Sequence, residues 1–159
     1  MRKGKQEKPL TIIDDYSTYR DAFDLLFKYI DVENKNVWFP FYNDGLIHSY
    51  NFSCNMIHNR NNFFETKVEY DYIVDNPPYS IKQKIFERCI ELGKPFALLV
   101  PIDTLERQYI SKLMIDKDFT IIIPYERYNF INNNCKKTMP FKTCWFCVGF
   151  GLGRQIIFN

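Results

Sequence analysis

Apolar residues recur along this chain in two alternating patterns, short continuous runs and longer runs at helical spacing. The continuous runs predict strands over residues 37–39, 54–58, 70–74, 96–100, 120–123 and 144–150. Helical spacing predicts helices over residues 18–30 and 81–92, a third helix from residue 103, and a short helical or irregular stretch over 46–52. Strands that alternate with helices predict an α/β fold with a doubly wound, mostly parallel sheet in one compact domain.

Composition sets limits on the class of protein. Hydrophobic residues make up 46% of the 159 positions and aromatic residues 18%, which excludes a disordered chain. No apolar run reaches the roughly 18 residues of a membrane-spanning helix, and no apolar stretch follows the basic amino terminus as it would in a secretory signal. We therefore expect an intracellular protein, in the cytoplasm or the nucleus, with no membrane partner.

Positive charge is concentrated at the amino terminus. Residues 1–10 contribute +3 to the net charge of +2, so residues 11–159 sum to −1. We predict a basic, flexible arm over 1–10 and a single folded domain over 11–159. A domain that grips duplex DNA through many phosphates is usually far more basic, so charge alone does not point to nucleic acid.

The five cysteines predict free thiols. Their number is odd, and no second Cys-x-x-Cys accompanies Cys144 and Cys147, so a zinc site is not expected. These two residues stand three positions apart on a predicted strand, and their side chains should face opposite sides of the sheet. We expect buried structural cysteines and no metal.

The turn after the strand over 70–74 carries the candidate chemistry. Residues 75–79 read Asp-Asn-Pro-Pro-Tyr, and two successive prolines cannot continue a strand. Ser80 and Gln83 then form a predicted capping box for the next helix. In doubly wound sheets ligands bind beyond the carboxyl ends of the strands, so this turn and the turn over 40–45 are the two candidate positions.

The string Asn76-Pro77-Pro78-Tyr79, between a strand and a helix, resembles the catalytic motif of S-adenosylmethionine-dependent amino-methyltransferases, a class I group that includes N6-adenine DNA methyltransferases. The resemblance implies that these four residues are catalytic. The side-chain oxygen of Asn76 and the carbonyl of Pro77 would accept the hydrogens of the target amine, and the prolines would keep both acceptors aimed. Tyr79 would offer a flat face to a flipped-out base.

The resemblance extends over most of residues 16–150 and is closest to the small phage- and virus-type adenine methyltransferases. Residues 37–45 resemble their first cofactor-binding motif, residues 57–64 the segment before their adenine-binding edge, and residues 93–101 and 141–148 their fifth and final strands. It implies that S-adenosyl-L-methionine is the cofactor. The implied cofactor-binding residues are Phe39, Pro40, Phe41, Tyr42, Asp44, Gly45, His58, Asn62 and Phe63.

Three positions depart from the family pattern, and one of them is Asn43, which stands where a glycine or small residue often follows the aromatic pair. Relatives usually have an acidic residue where this chain has Phe39 and Asn62, and such a carboxylate would be a hydrogen-bond partner of the cofactor. The departure leaves a second hypothesis beside the enzyme, a catalytically weak or inactive methyltransferase-like subunit that binds nucleic acid or a partner protein.

Further residues are candidates for contact with the substrate. Tyr125, Arg127 and Tyr128 follow the strand over 120–123, whose carboxyl end should point to the ligand side, and such a cluster can stack on or steer a nucleotide. Residues 132–137 are expected to form a loop with two positive charges, and residues 151–154 a turn.

We predict methylation of the N6 amine of adenine, in DNA rather than RNA. RNA adenine and the glutamine amide of a protein stay open as targets, because both are also planar amines and the motif does not separate them. Few residues remain beyond the sheet and its helices to hold a duplex, which predicts a homodimer or a partner subunit.

Overall fold

The computed structural model describes residues 17–41, 45–58, 62–132 and 135–159. Its strands, in chain order, are β1 (Ser17–Thr18), β2 (Asn36–Phe39), β3 (Asn55–His58), β4 (Tyr72–Asp75), β5 (Phe96–Pro101), β6 (Phe119–Ile123), β7 (Asn129–Asn132), β8 (Cys135–Thr138), β9 (Thr143–Val148) and β10 (Gln155–Phe158). Its α-helices are α1 (Arg20–Leu26), α2 (Lys82–Leu92) and α3 (Gln108–Leu113). Shorter 3₁₀ helices cover Leu46–Ser49, Tyr79–Ile81 and Ile102–Glu106.

Seven strands form the central sheet, in the order β10-β6-β9-β5-β4-β2-β3. Neighbouring strands run parallel except β9, which is antiparallel to both β5 and β6. The chain passes from β2 to β3 on one side and then returns to β4 on the other side of β2. This reversal makes a topological switch point between β2 and β4, where doubly wound sheets bind their ligands.

Both faces of the sheet are covered, because alternate residues of each strand face opposite sides. Val74 of β4 packs in the apolar cluster that contains the buried side of α1, and its neighbour Ile73 packs in the cluster that contains α2. Trp145 of β9 lies in the α1 cluster and donates a hydrogen bond from Nε1 to the Ala22 carbonyl at 2.8 Å. The doubly wound, mostly parallel sheet is therefore confirmed.

Cys144 and Cys147 are buried as the sequence predicts, whereas Cys54 is half-buried and Cys135 is exposed. Cys144 belongs to the α2 cluster and Cys147 to the α1 cluster, so the two thiols face opposite sides of β9. All five cysteines are free. Burial raises the pKa of both thiols, which keeps them protonated and unreactive.

A second, three-stranded sheet has the order β1-β7-β8, and we call it the accessory sheet. Its β7 and β8 overlap residues 132–137, so the prediction of a loop there is wrong. The register pairs Phe130 with Lys137 and Ser17 with Ile131. Pairing between β1 and β7 joins segments more than a hundred residues apart, and no local pattern carries that information.

Other element boundaries also differ from the prediction. Thr18 lies in β1, so α1 begins at Arg20, and it ends at Leu26 rather than near residue 30. The N-cap of α2 is Ile81, without a side-chain cap, one residue after the position that the predicted capping box gives to Ser80. A 3₁₀ turn over Tyr79–Ile81 occupies the place that this box requires.

After α2 and after β9, the predicted helix end and the predicted turn agree with the structure more closely. Gly93 ends α2 with a φ of +72° and bonds back to the carbonyls of Cys89 and Ile90. The turn over 151–154 leads into β10, a strand that was not predicted. Within the described ranges, no helix is both long and apolar enough to cross a membrane.

Trp145→Phe tests the contact between β9 and α1. The substitution removes the indole hydrogen bond to Ala22 and leaves a small cavity, so we expect the free energy of unfolding to fall by about 2–4 kcal/mol. Urea denaturation followed by circular dichroism measures the change. Phe158→Leu is the control, because that side chain is 79% exposed and should change the free energy by less than about 0.5 kcal/mol. Equal losses in both variants would contradict the prediction.

Candidate active site

The predicted catalytic turn lies at the switch point of the sheet. Asn76, Pro77 and Pro78 follow the last residue of β4, and Tyr79 begins a 3₁₀ helix that leads into α2. The neighbouring strand β2 ends at Phe39, and its register places Val37 and Trp38 beside Tyr72 and Ile73. The carboxyl ends of both strands therefore open into the same crevice.

The carboxylate of Asp75 joins the two turns. One oxygen, Oδ2, accepts the backbone N–H of Phe41 at 2.7 Å, and the other, Oδ1, accepts the backbone N–H of Asn76 at 2.8 Å. The side chain is 3% exposed, and burial raises its pKa to about 8 although both hydrogen bonds favour the ionised form. Asp75 thus fixes the loop after β2 against the turn after β4.

Asn76 presents an unused acceptor. Its side chain is only 7% exposed, and its Oδ1 has no hydrogen-bond partner among the described residues. An unsatisfied buried acceptor costs about 1–3 kcal/mol, and in native structures such an atom usually has a reason. The backbone N–H of Asn76 is held by Asp75, so the residue as a whole is positioned while its amide oxygen is left for a ligand.

Aromatic rings flank the turn. The ring of Tyr79 lies 6.0 Å from that of Phe141, with an angle of 67° between the planes. Phe141 is half-buried and precedes β9, which runs beside β5. Two rings at this angle form a corner against which a flat group can rest.

Two predicted cofactor residues turn their rings into the core. Phe39 is fully buried and packs against Phe23 and Phe52 at 6.0 and 6.1 Å between ring centroids. Phe63 is 4% exposed and packs against Trp38 at 5.4 Å, on the other face of the sheet. For both residues only the backbone is left to face a ligand in this crevice.

The segment after β2 contains the next group of predicted cofactor-binding residues. Pro40 is buried, and Phe41 is half-buried with its ring 5.3 Å from that of Phe63. Gly45 has a φ of +78°, a left-handed conformation that favours glycine, at the start of the 3₁₀ helix over Leu46–Ser49. Tyr42 and Asp44 lie outside the described residues.

His58 ends β3, directly opposite Phe39 in the register. Its ring centroid lies 4.1 Å from that of His48. Burial, and to a smaller extent the electrostatic effect of His48, lower the pKa of His58 to about 4, so it is neutral at pH 7. A neutral imidazole does not repel a positively charged ligand.

Asn62 opens a tight turn beyond β3. Its side chain is exposed, its Oδ1 accepts the N–H of Phe64 at 3.0 Å, and its carbonyl accepts the N–H of Thr66 at 2.9 Å. This position is therefore free to change without disturbing the core.

The three predicted substrate residues lie apart from the catalytic turn. Tyr125, Arg127 and Tyr128 line a cleft of about 400 Å³ against α1. They follow β6, which is three strands from β4 and so about 14 Å away. Lys142 links the two regions, because its Nζ donates to the Tyr125 carbonyl at 2.9 Å and it follows Phe141 in the chain.

Comparison with known proteins identifies the fold. No protein-family model matches the chain, and no curated protein sequence does. A Pyrococcus horikoshii protein described as an RNA methyltransferase has a similar structure, with a TM-score of 0.55 and 12% identity over 92% of this chain and 90% of that one. A dimethyladenosine transferase from Plasmodium falciparum is similar with a TM-score of 0.55 and 11% identity, over 83% of this chain and 62% of that one.

The chain has the fold of the class I methyltransferases. At 11–12% identity the likeness concerns the fold alone, and the roles of residues rest on the geometry of this chain. Doubly wound sheets bind their ligands at such a switch point, and the turn at Asn76 borders the crevice between β2 and β4.

Two residues at the crevice were missed from the sequence. Asp75 ends an otherwise apolar strand, and an acidic residue in that place is a signal that could have been used, because an isolated buried carboxylate is costly. Phe141 gives no such signal, since its contact with Tyr79 depends on β9 lying beside β5.

Asp75→Asn tests the buried carboxylate through its pH dependence. The folded-state pKa of about 8 lies above the ordinary value of 3.8, so Asp75 contributes stability that is fully present below about pH 4. This contribution is lost as the pH rises through about 8. We expect the free energy of unfolding to fall by a few kcal/mol between about pH 5 and pH 9 in the natural protein, and by less in the variant, which does not titrate there.

Urea denaturation at several pH values measures both curves. Asp71→Asn is the control, because Asp71 is an exposed carboxylate that also accepts one backbone N–H, from Asn36. The same pH dependence in Asp75→Asn as in the natural protein would contradict the assignment.

Proposed function

We propose that this protein is an S-adenosylmethionine-dependent methyltransferase acting on the exocyclic N6 amine of adenine, with DNA as the nucleic acid. The observation that supports it most is the buried, unused Oδ1 of Asn76 at the switch point of a class I methyltransferase fold. An exocyclic amine has two hydrogens to donate and fits such an acceptor.

The residues of this chain have separate parts in the transfer. S-adenosylmethionine, when bound, supplies a methyl group on a positively charged sulfur. The described residues that would hold it are Phe41, Gly45 and His58, along the carboxyl ends of β2 and β3. His58, neutral at pH 7, offers a polar contact without repelling that charge. Asp75 holds the loop at Phe41 and the turn at Asn76 in a fixed position relative to each other.

Asn76 and Pro77 act on the target amine. The amide oxygen of Asn76 accepts one hydrogen, and the Pro77 carbonyl accepts the other. These bonds favour a pyramidal nitrogen, whose lone pair is then less delocalised into the ring and points toward the methyl group. Because the prolines and Asp75 hold both acceptors beforehand, no reorganisation is needed during reaction. Tyr79 and Phe141 give the planar base two walls.

Other targets share this chemistry. Adenine in RNA and the glutamine amide of a protein present the same kind of planar amine to the same acceptors. The two structural neighbours are described as an RNA methyltransferase and a dimethyladenosine transferase, which supports RNA as an alternative substrate. A homodimer or a partner subunit that completes the substrate surface stays a prediction.

A second candidate function is an inactive or weakly active subunit. It is favoured by the burial of Phe39, which stands where relatives usually have an acidic residue and points into the core. No carboxylate can be supplied to the cofactor from that side chain.

Asn76→Ala tests catalysis. We expect turnover to fall by about 10²–10³-fold, because an aimed acceptor for the reacting amine is lost. Affinity for S-adenosylmethionine should stay within about twofold, since Asn76 acts on the target. Mass spectrometry of nucleosides after incubation with DNA and RNA measures turnover, and titration calorimetry measures affinity. Asn51→Ala, at an exposed asparagine, is the control.

Two outcomes would contradict the proposal. Turnover within tenfold of the natural protein in Asn76→Ala would remove Asn76 from the reaction. Methyl groups that appear only on a protein fraction would overturn adenine as the target.

Asn62→Asp separates the enzyme from the inactive subunit. Asn62 is exposed, whereas Asp at position 39 would place a charge in the core, so only the former substitution leaves the fold intact. For the enzyme we expect calorimetry to give micromolar binding of S-adenosylmethionine already in the natural protein. Millimolar or undetectable binding in the natural protein would instead support the inactive subunit, provided that Asn62→Asp binds S-adenosylmethionine about ten- to hundredfold more tightly and Asn62→Ala does not.

A further inference from the structure

Acidic residues are absent from the last part of the chain. Residues 127–159 contain five cations and no Asp or Glu. Because the whole chain carries +2, residues 1–126 together carry −3. A one-sided distribution of this kind gives a local positive potential that the small net charge conceals.

Four of these cations form what we call the basic strip: Arg127, Lys136, Lys137 and Lys142. The strip belongs to the segment between β6 and β9. This segment leaves the central sheet at Ile123 and returns at Thr143, which pairs with Pro101 at the carboxyl end of β5. Both points lie on the edge of the sheet that carries Asn76, so the strip lies on the side of the candidate active site.

A contact of the residue next to Lys142 connects the strip to the catalytic turn. Lys142 donates to the Tyr125 carbonyl at 2.9 Å, and its neighbour Phe141 lies against Tyr79. Lys137 is four residues from Phe141, so at most about 14 Å of chain separates the two. With about 3.4 Å between successive nucleotides of one strand, a nucleic acid at the mouth of the site would reach Lys137 within about four nucleotides.

The lysines of the strip form no ion pair with a carboxylate among the described residues. Where the structure describes the chain, ion pairs join Arg20 to Asp24, Arg88 to Glu91, Arg107 to Asp103 and Lys117 to Asp116. None of these pairs includes a member of the strip. Arg127 shares its cleft with three acidic residues, so the net positive charge comes mainly from the exposed lysines of β8.

Protection of a sheet edge explains only part of the pattern. β8 is an edge strand of the accessory sheet, and lysines there discourage pairing with other chains. Arg127 and Lys142 are on no strand, and edge protection does not account for them or for the lack of acidic residues over 127–159.

We propose that the basic strip binds the sugar-phosphate backbone of the nucleic acid whose adenine enters at Asn76. This inference rests on the proposed function and narrows its substrate to a polynucleotide rather than a free nucleotide or a protein. Tyr125, which is 85% exposed beside the strip, offers a stacking surface for a neighbouring base. The lysines carry no sequence preference, and they position the strand while the site selects the amine.

Removal of both β8 lysines tests the strip. Lys136→Gln with Lys137→Gln is compared with Lys35→Gln with Lys112→Gln, which removes the same charge from residues before β2 and on α3. Fluorescence anisotropy of a labelled duplex DNA of about 20 base pairs is followed over about 0.05–0.3 M salt. Single-stranded DNA and RNA of the same sequence are the other two probes.

We expect the β8 variant to bind the duplex tens of fold more weakly at about 0.1 M salt. The slope of log affinity against log salt should fall in magnitude by about 2, since each phosphate contact contributes about 0.9. The control variant should keep the slope of the natural protein, and the melting temperatures of all three proteins should agree because the lysines of the test variant are exposed. In methylation assays, KM for the oligonucleotide should rise in the β8 variant while kcat is unchanged.

The outcomes separate this inference from the proposed function. Binding that depends on the β8 lysines, without methylation of any adenine, supports the strip and contradicts the proposed function. Methylation with an unchanged salt slope in the β8 variant overturns the strip alone, as does an equal loss in the control. Absence of binding to all three probes by the natural protein also overturns the strip. A larger effect with RNA than with DNA supports the strip and identifies RNA as the source of the backbone.

Discussion

A carboxylate buried at the end of a strand holds the candidate active site together. Asp75 accepts one N–H from the loop after β2 and one from the turn after β4, and both bonds are short. A buried carboxyl group without a cation is costly, which is why its pKa is raised to about 8. An amide in its place would offer only one acceptor oxygen. The carboxyl group offers one oxygen to each of the two N–H groups, which come from the segments after β2 and β4.

The two-sided core explains how the cofactor side is built. Strand residues alternate between the α1 and α2 clusters, so a side chain near the carboxyl end of β2 faces one core or the other unless it lies beyond the strand. Phe39 is the last residue of β2 and is committed to the α1 cluster. In the proposed function, contacts to a cofactor are consequently left to Phe41, Gly45 and the backbone, and to His58, which pairs with Phe39 in the register.

Strands β7 and β8 of the accessory sheet belong to a segment that starts and ends at the edge of the central sheet that carries Asn76. The central sheet and its helices use most of the chain, and the segment between β6 and β9 departs from and returns to the edge that carries Asn76. Residues inserted there lie beside the site without disturbing the core. The pairing of β7 with β1 and the burial of Phe130 anchor this segment to the α1 face of the central sheet. Charge placed on this segment therefore acts near the catalytic turn even though the whole molecule is nearly neutral.

The sequence by itself determined the α/β class, most central strands, the opposite facing of Cys144 and Cys147, and the position of the Asn76 turn. These features are local, because hydrophobic periodicity and consecutive prolines act within a few residues. Tertiary structure alone decided the accessory sheet, the buried ring of Phe39, the contact of Tyr79 with Phe141, and the hydrogen bond from the Phe41 N–H to Asp75. Each of these depends on segments distant in the chain that come together only when the sheet forms, and the pattern of a single segment does not encode its partner.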